Sequence, residues 1–146
     1  MTSFSIDKER GDAIENLVLQ ELRKKYPCTT RINGKFKGYD LWIPERGWGI
    51  EVKYDKKSNE TGNYLIEYEM NGQPSALMTT TAKFWALYDD KYIVYISPQQ
   101  IIRCIFDNEY TYQVKTGNGD RASKKCFLIR KNDLINYSTK TKEIQR

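Results

Sequence analysis

Residues 38–57 read GYDLWIPERGWGIEVKYDKK, two strand-like runs, YDLWI and GIEVKY, on either side of a turn containing Pro44 and Gly47. Asp40, Glu51 and Lys53 stand where strand interiors usually carry apolar side chains. In a strand, residues two apart share a face, so Glu51 and Lys53 project together while Ile50, Val52 and Tyr54 project to the other side. In the first run Leu41 and Ile43 separate in the same way from Asp40 and Trp42. With Pro44 and Gly49 flanking a four-residue loop, this pattern predicts Asp40 opposite Lys53 and diagonal to Glu51, all on one face.

Two carboxylates held close together repel unless a cation sits between them, and magnesium takes octahedral oxygen coordination that includes waters. A neighbouring lysine orients a metal-bound water or stabilises charge building on a phosphate. Asp40 and Glu51 are therefore candidate metal ligands, with the carbonyl of Val52 as a further ligand and Lys53 as the catalytic lysine. The same pattern also reads as a cross-strand salt-bridge network on the solvated face of a hairpin.

The rest of the chain limits the choices. At 146 residues it has the length of one domain, residues 1–146, with a single core. A hydrophobic fraction of 39%, aromatics at 13% and a mean hydropathy of -0.74 argue against both disorder and a membrane protein. No apolar run reaches the roughly 18 residues of a membrane span, and the start MTSFSIDKERGD lacks the apolar core of a signal peptide, so a cytoplasmic protein is expected. Cys28, Cys104 and Cys126 form no CxxC pair, which fits a reducing compartment. The chain has no histidine, so any metal chemistry falls to oxygen ligands, which favours Mg2+ or Mn2+. A net charge of +5 suits a protein that meets polyanions.

Around the quoted stretch, Ile14, Leu17, Val18 and Leu22 mark an amphipathic helix from Ile6 to Tyr26, stopped by Pro27. TRINGKFKG predicts a short hairpin leading into YDLWI, and YLIEYEM a third strand closed by Asn71-Gly72. Leu77, Thr81, Phe84, Trp85 and Tyr88 share a helical face, which predicts a second helix from Pro74 to Tyr88, with Phe84 and Trp85 in the core. KYIVYI reads as a buried strand, and SPQQIIRCIF as a helix with Ser97 as N-cap and Pro98 in the first position. EYTYQV and CFLIR read as late strands on either side of the loop KTGNGDRASKK, NDLINY as a short helical piece, and the tail after Tyr137 as frayed. The class is α/β, a mixed central sheet flanked by helices.

The order of these elements, with Asp40 in one strand and Glu51-Val52-Lys53 in the next, resembles the αβββαβ core of the PD-(D/E)xK nuclease superfamily, the restriction-endonuclease-like fold, from about Gly11 to Ile96. The residue before the aspartate is Tyr39, not the proline of the superfamily's name. Many members carry a glutamate on the first helix that completes the metal site, and GDAIENL offers Glu15; small Holliday-junction-resolving and phage-type enzymes show such a G-x-x-x-E start. The resemblance implies a Mg2+-dependent endonuclease acting on branched or structured DNA in recombination or repair, as a homodimer, with Glu15, Asp40 and Glu51 on the metal, Lys53 as catalytic residue and no organic cofactor.

Phosphate contacts are expected from basic residues near strand ends, Arg31, Lys35, Lys37, Lys56 and Lys57, and from Lys83 on the exposed side of the second helix. The alternatives are a non-catalytic nucleic-acid-binding domain that keeps the fold, and a structural protein whose hairpin carries a salt-bridge network.

Overall fold

The structure is a computed structural model that describes residues 3–34, 38–116 and 123–144. The first helix, α1 (Ser3–Arg23), presents Ile14, Val18 and Leu19 to the interior and ends before Pro27, as the apolar spacing requires. Three antiparallel strands follow: β1 (Thr30–Arg31), β2 (Leu41–Ile43) and β3 (Trp48–Tyr54). After them come a single-turn helix α2 (Ser58–Thr61), β4 (Asn63–Met70), β5 (Gln73–Pro74) and a 3-10 turn at Ala76–Met78. The remainder is β6 (Phe84–Tyr88), β7 (Tyr92–Ile96), α3 (Pro98–Asp107), β8 (Gln113–Thr116), β9 (Ser123–Arg130), α4 (Lys131–Tyr137) and β10 (Lys140–Glu143).

The strands form two sheets. One is six-stranded and mixed, in the order β1-β2-β3-β6-β7-β10, with β3 and β6 parallel. The other is a four-stranded antiparallel sheet, β5-β4-β9-β8. Alternation along β6 shows how the larger sheet is sandwiched. Ala86 and Tyr88 join Ile14, Val18, Leu41 and Ile50 under α1, while Trp85 and Leu87 join Tyr64, Ile66, Ile101 and Ile129 on the side of the smaller sheet and α3.

Three expectations are corrected. Residues 74–88 form no helix beyond the 3-10 turn, and Phe84–Tyr88 is a strand. The β-branched run Thr79–Thr81 resists helix, and Trp85, Ala86, Leu87 and Tyr88 are all buried because this strand is covered on both faces. An apolar run buried on both sides carries no period, so the helical spacing there was coincidental. Second, YLIEYEM is a strand as expected, but it pairs with β9 in a separate smaller sheet, so the connection from β3 to its parallel neighbour β6 passes through that sheet instead of the expected helix. Third, the polar tail is ordered as β10, paired to β7 and pinned by Thr139 N–H to Tyr95 O and Ile144 N–H to Lys91 O. Its lysines suit an edge strand, which sequence polarity alone makes look like a loose end.

Other expected features are present. Ser97 caps α3 by accepting the Gln100 N–H at 3.2 Å, with Pro98 next to it. Among the described residues no helix is long and apolar enough to cross a membrane.

Candidate active site

The hairpin that carries the three charged residues is set by a four-residue loop, 44–47, between Ile43 and Trp48, with Gly47 at φ +66°. Its pairs are Ile43 with Trp48, Trp42 with Gly49 and Leu41 with Ile50. The ladder ends there: the Asp40 N–H donates to Ile50 O, so Asp40 does not stand opposite Lys53 as expected. The offset of the paired residues from the expected pairing is two, which keeps their side chains on their faces.

Glycine at position 49 has a local cause. The ring of Tyr39 lies over it so closely that a Cβ there would stand 2.2 Å from the ring. Tyr39 also stacks on Trp42, with ring centroids 5.6 Å apart, which fixes the chain just before Asp40. The Asp40 backbone is then held from both sides: its N–H donates to Ile50 O at 2.9 Å and its carbonyl accepts from Ile32 N–H at 2.8 Å.

Strand β2 starts only at Leu41, and the Asp40 side chain does what its missing ladder residue would. Gly49 O accepts the Lys83 N–H on the β6 side, so Ile50 and Val52 turn their N–H and C=O groups toward β2. Asp40 Oδ2 accepts the Val52 N–H at 2.8 Å, and Asp40 is only 6% exposed. The Val52 carbonyl leaves the strand on this same edge.

Glu51 and Lys53 occupy the face that meets the smaller sheet. Lys53 Nζ lies 3.6 Å from Glu51 Oε1 and 5.3 Å above the ring of Trp85, whose Nε1 donates to Thr80 Oγ1 at 3.1 Å. A hollow of about 180 Å³ opens there, lined by Gly38, Glu51, Lys53, Thr79, Thr80 and Trp85 with Ala76. A second of about 110 Å³, which shares Lys53 and Trp85 with the first, reaches Glu67 of β4. Glu67 accepts from Ser75 Oγ at 2.8 Å and lies 3.6 Å from Lys124. The sequence offers no signal for this role of Glu67, because nothing local to YLIEYEM says that its strand folds back over the hairpin.

Glu15 belongs to the opposite, α1 face. It lines a hollow of about 340 Å³ with Arg10, Val52 and Tyr54, and its Oε1 accepts from Arg31 Nε at 3.0 Å. The same guanidinium reaches Asp12 at 2.5 Å. Val52 thus stands between the groups, its backbone toward Asp40 and its side chain toward Glu15.

The residues expected to meet phosphate are dispersed. Arg31 is engaged by Asp12 and Glu15. Lys56 and Lys57 are exposed in the turn beyond the C-terminal end of β3. Lys83 is exposed in the loop before β6, not on a helix, and bonds at the level of Gly49. Along the strand direction these two groups stand about 20 Å apart. Lys35 and Lys37 lie outside the described residues.

Among the described residues no group of three or more His, Cys, Asp or Glu is placed to hold a metal ion. The donors that the hairpin offers, the carboxylates of Asp40 and Glu51 and the carbonyl of Val52, are all oxygen, and magnesium is commonly held by one or two carboxylates completed by water and phosphate. Comparison with family models, characterised proteins and solved structures finds no match for this chain.

Proposed function

We propose that this chain is a metal-dependent DNA endonuclease of the PD-(D/E)xK kind that hydrolyses phosphodiesters, acting as a homodimer on branched or structured DNA. The observation that carries the reading is the bond from Val52 N–H to Asp40 Oδ2, because it holds the aspartate of one strand against the E-x-K segment of the next. The order α1, β1, β2, β3, followed in the sheet by a strand parallel to β3, supports a restriction-endonuclease-like core in which the smaller sheet replaces the crossover helix.

In this reading Asp40, Glu51 and the Val52 carbonyl would hold Mg2+ or Mn2+, and Glu15 would join them only if Arg31 left it for phosphate. The ion supplies Lewis acidity and an activated water. Lys53 donates to the phosphate oxygen or to the attacking water, and the Trp85 ring beneath its ammonium restricts where that donor can go. Asp40 keeps the Val52 backbone fixed, so the carbonyl of Val52 does not drift with the hairpin.

A second reading, a non-catalytic nucleic-acid-binding domain, draws on the ion pair between Arg31 and Glu15 and on the lack of a three-acid group among the described residues. Supercoiled, linear and branched DNA incubated with Mg2+, Mn2+ or EDTA separates the two. Cleavage that needs the metal and disappears in Lys53→Ala and Asp40→Asn supports the nuclease. DNA binding with no cleavage under either metal selects the binding domain.

A further inference from the structure

A hollow on the α1 face of the sheet lies under the C-terminal end of α1 where β3 and β6 begin, and measures about 420 Å³. That is within the ~300–1,000 Å³ of small-molecule sites. Trp48 forms its centre, edge-to-face with Tyr26 at 6.2 Å and with Phe84 at 5.2 Å, and all three rings are only partly buried. A planar apolar group finds stacking surface here.

Its rim is cationic: Lys24, Lys25, Arg46, Lys140 and Lys142 surround one carboxylate, Glu21. Glu21 is already taken by Lys24 at 2.7 Å and Lys142 at 2.6 Å, which hold its carboxyl below the usual range. Among the described residues no carboxylate comes within ion-pair distance of Lys25, Arg46 or Lys140. Arg46 instead lies 5.5 Å from the Trp48 ring and 5.9 Å from that of Tyr26, and Lys25 lies 5.5 Å from Tyr26. Cations left without counter-ions beside aromatic rings suit a ligand that is both flat and anionic.

We infer that this hollow binds a nucleobase together with its phosphate, the base against Trp48, Tyr26 and Phe84 and the phosphate on Arg46, Lys25 and Lys140. A sugar phosphate would leave the rings unused and a neutral aromatic would leave the cations unused. The site is on the α1 face, across the sheet from Glu51 and Lys53, so it stands whether or not the chain cleaves DNA. The same chemistry has two sources, a strand of nucleic acid or a free nucleotide.

The test is binding in EDTA on a Lys53→Ala background, read by anisotropy of a labelled oligodeoxythymidylate and by the part of the tryptophan fluorescence change that a Trp48→Phe variant loses. An abasic oligomer of equal length and dTMP serve as competitors. The oligomer binds, the abasic strand binds about tenfold or more weakly, and Arg46→Ala, an exposed position whose loss leaves the circular dichroism unchanged, weakens binding by a similar factor. Tighter binding of dTMP than of the strand, per nucleotide, keeps the site and assigns it to free nucleotide. Equal affinity for the abasic strand, an unaffected Arg46→Ala variant, or no binding by the parent overturns it.

Discussion

Asp40 finishes a ladder that its own strand leaves incomplete: its Oδ2 takes the N–H of Val52 at 2.8 Å, one step beyond the pairing of Leu41 with Ile50. The bond is made by a carboxylate that is nearly buried, so it has both a structural and an electrostatic consequence. Removing the acceptor leaves the Val52 N–H unsatisfied, at a cost of about 1–3 kcal/mol. Asp40→Ala is therefore expected to lower the unfolding free energy by that amount, read as a lower urea midpoint at an unchanged m-value. Asp40→Asn keeps an acceptor and loses less, about 1 kcal/mol or below, yet still loses metal-dependent cleavage. Denaturation curves and DNA cleavage measured on both variants separate the two roles; equal stability loss in both would show that charge, not the bond, holds Val52.

Lys53 is expected to behave in the opposite way. Its side chain is 41% exposed and its pairing with Glu51 is correspondingly screened, so Lys53→Gln should change stability by no more than about 1 kcal/mol. Cleavage, in contrast, should be lost. A variant that unfolds markedly sooner would make Lys53 a structural residue in the cleft.

Gly49 offers a test of how Asp40 is positioned. A Cβ at this position meets the Tyr39 ring at 2.2 Å, so Gly49→Ala must displace the ring that stacks on Trp42 and fixes the chain ahead of Asp40. The expected cost is about 1–3 kcal/mol, as for other overpacked sites. Tyr39→Ala in the same molecule removes the obstacle, and a double-mutant cycle should return a coupling of the same order. Additive losses would mean that the ring and the glycine do not oppose each other.

The hairpin was legible in the sequence because both of its determinants are local: the alternation of Ile50, Val52 and Tyr54 against Glu51 and Lys53, and a short loop with its glycine. The pairing differs by two residues from the expected one because the loop is 44–47, closed by Gly47 at φ +66°, and not the four residues between Pro44 and Gly49. The stripe on α1 and the Ser97 cap were legible for the same reason. What could not be read were relations between distant segments. The strand from Asn63 to Met70 is recognisable as a strand, but its partner Ser123–Arg130 is sixty residues on. That pairing is what folds Glu67 over Lys53 and gives the candidate site a second wall.

A buried ion pair of the same long-range kind governs the acid side of stability. Asp89 is buried, and Lys131 of α4 bonds its Oδ2 at 2.6 Å, while the N–H groups of Tyr92 and Lys91 bond Oδ1. Burial alone pushes this carboxyl up, but Lys131 and the two backbone donors outweigh it and hold it below the ordinary range. A depressed folded-state pKa adds stability that is fully present above pH ~4 and is lost as pH falls through the folded value. Lys131→Met leaves the carboxylate buried without its cation, at a cost of about 3–5 kcal/mol near neutral pH. Stability measured from pH 7 to 3 should then fall less steeply in Lys131→Met than in the parent. A parallel decline in both would assign the acid sensitivity to other carboxylates.

The C-terminal strand gives the last expectation. Without β10, the backbone groups of Tyr92–Tyr95 that it pairs would lie open along an edge strand whose residues Ile93, Val94 and Ile96 are buried and apolar. An uncovered edge of that composition templates pairing with another chain. Truncation before Thr139 also removes Lys142, one of the two cations on Glu21. The shortened chain should melt earlier and form concentration-dependent oligomers in light scattering, while Lys142→Ala alone, which keeps the strand, should remain as dispersed as the parent. Oligomers in Lys142→Ala to the same extent as in the truncation would place the protection in the charge and not in the covered edge.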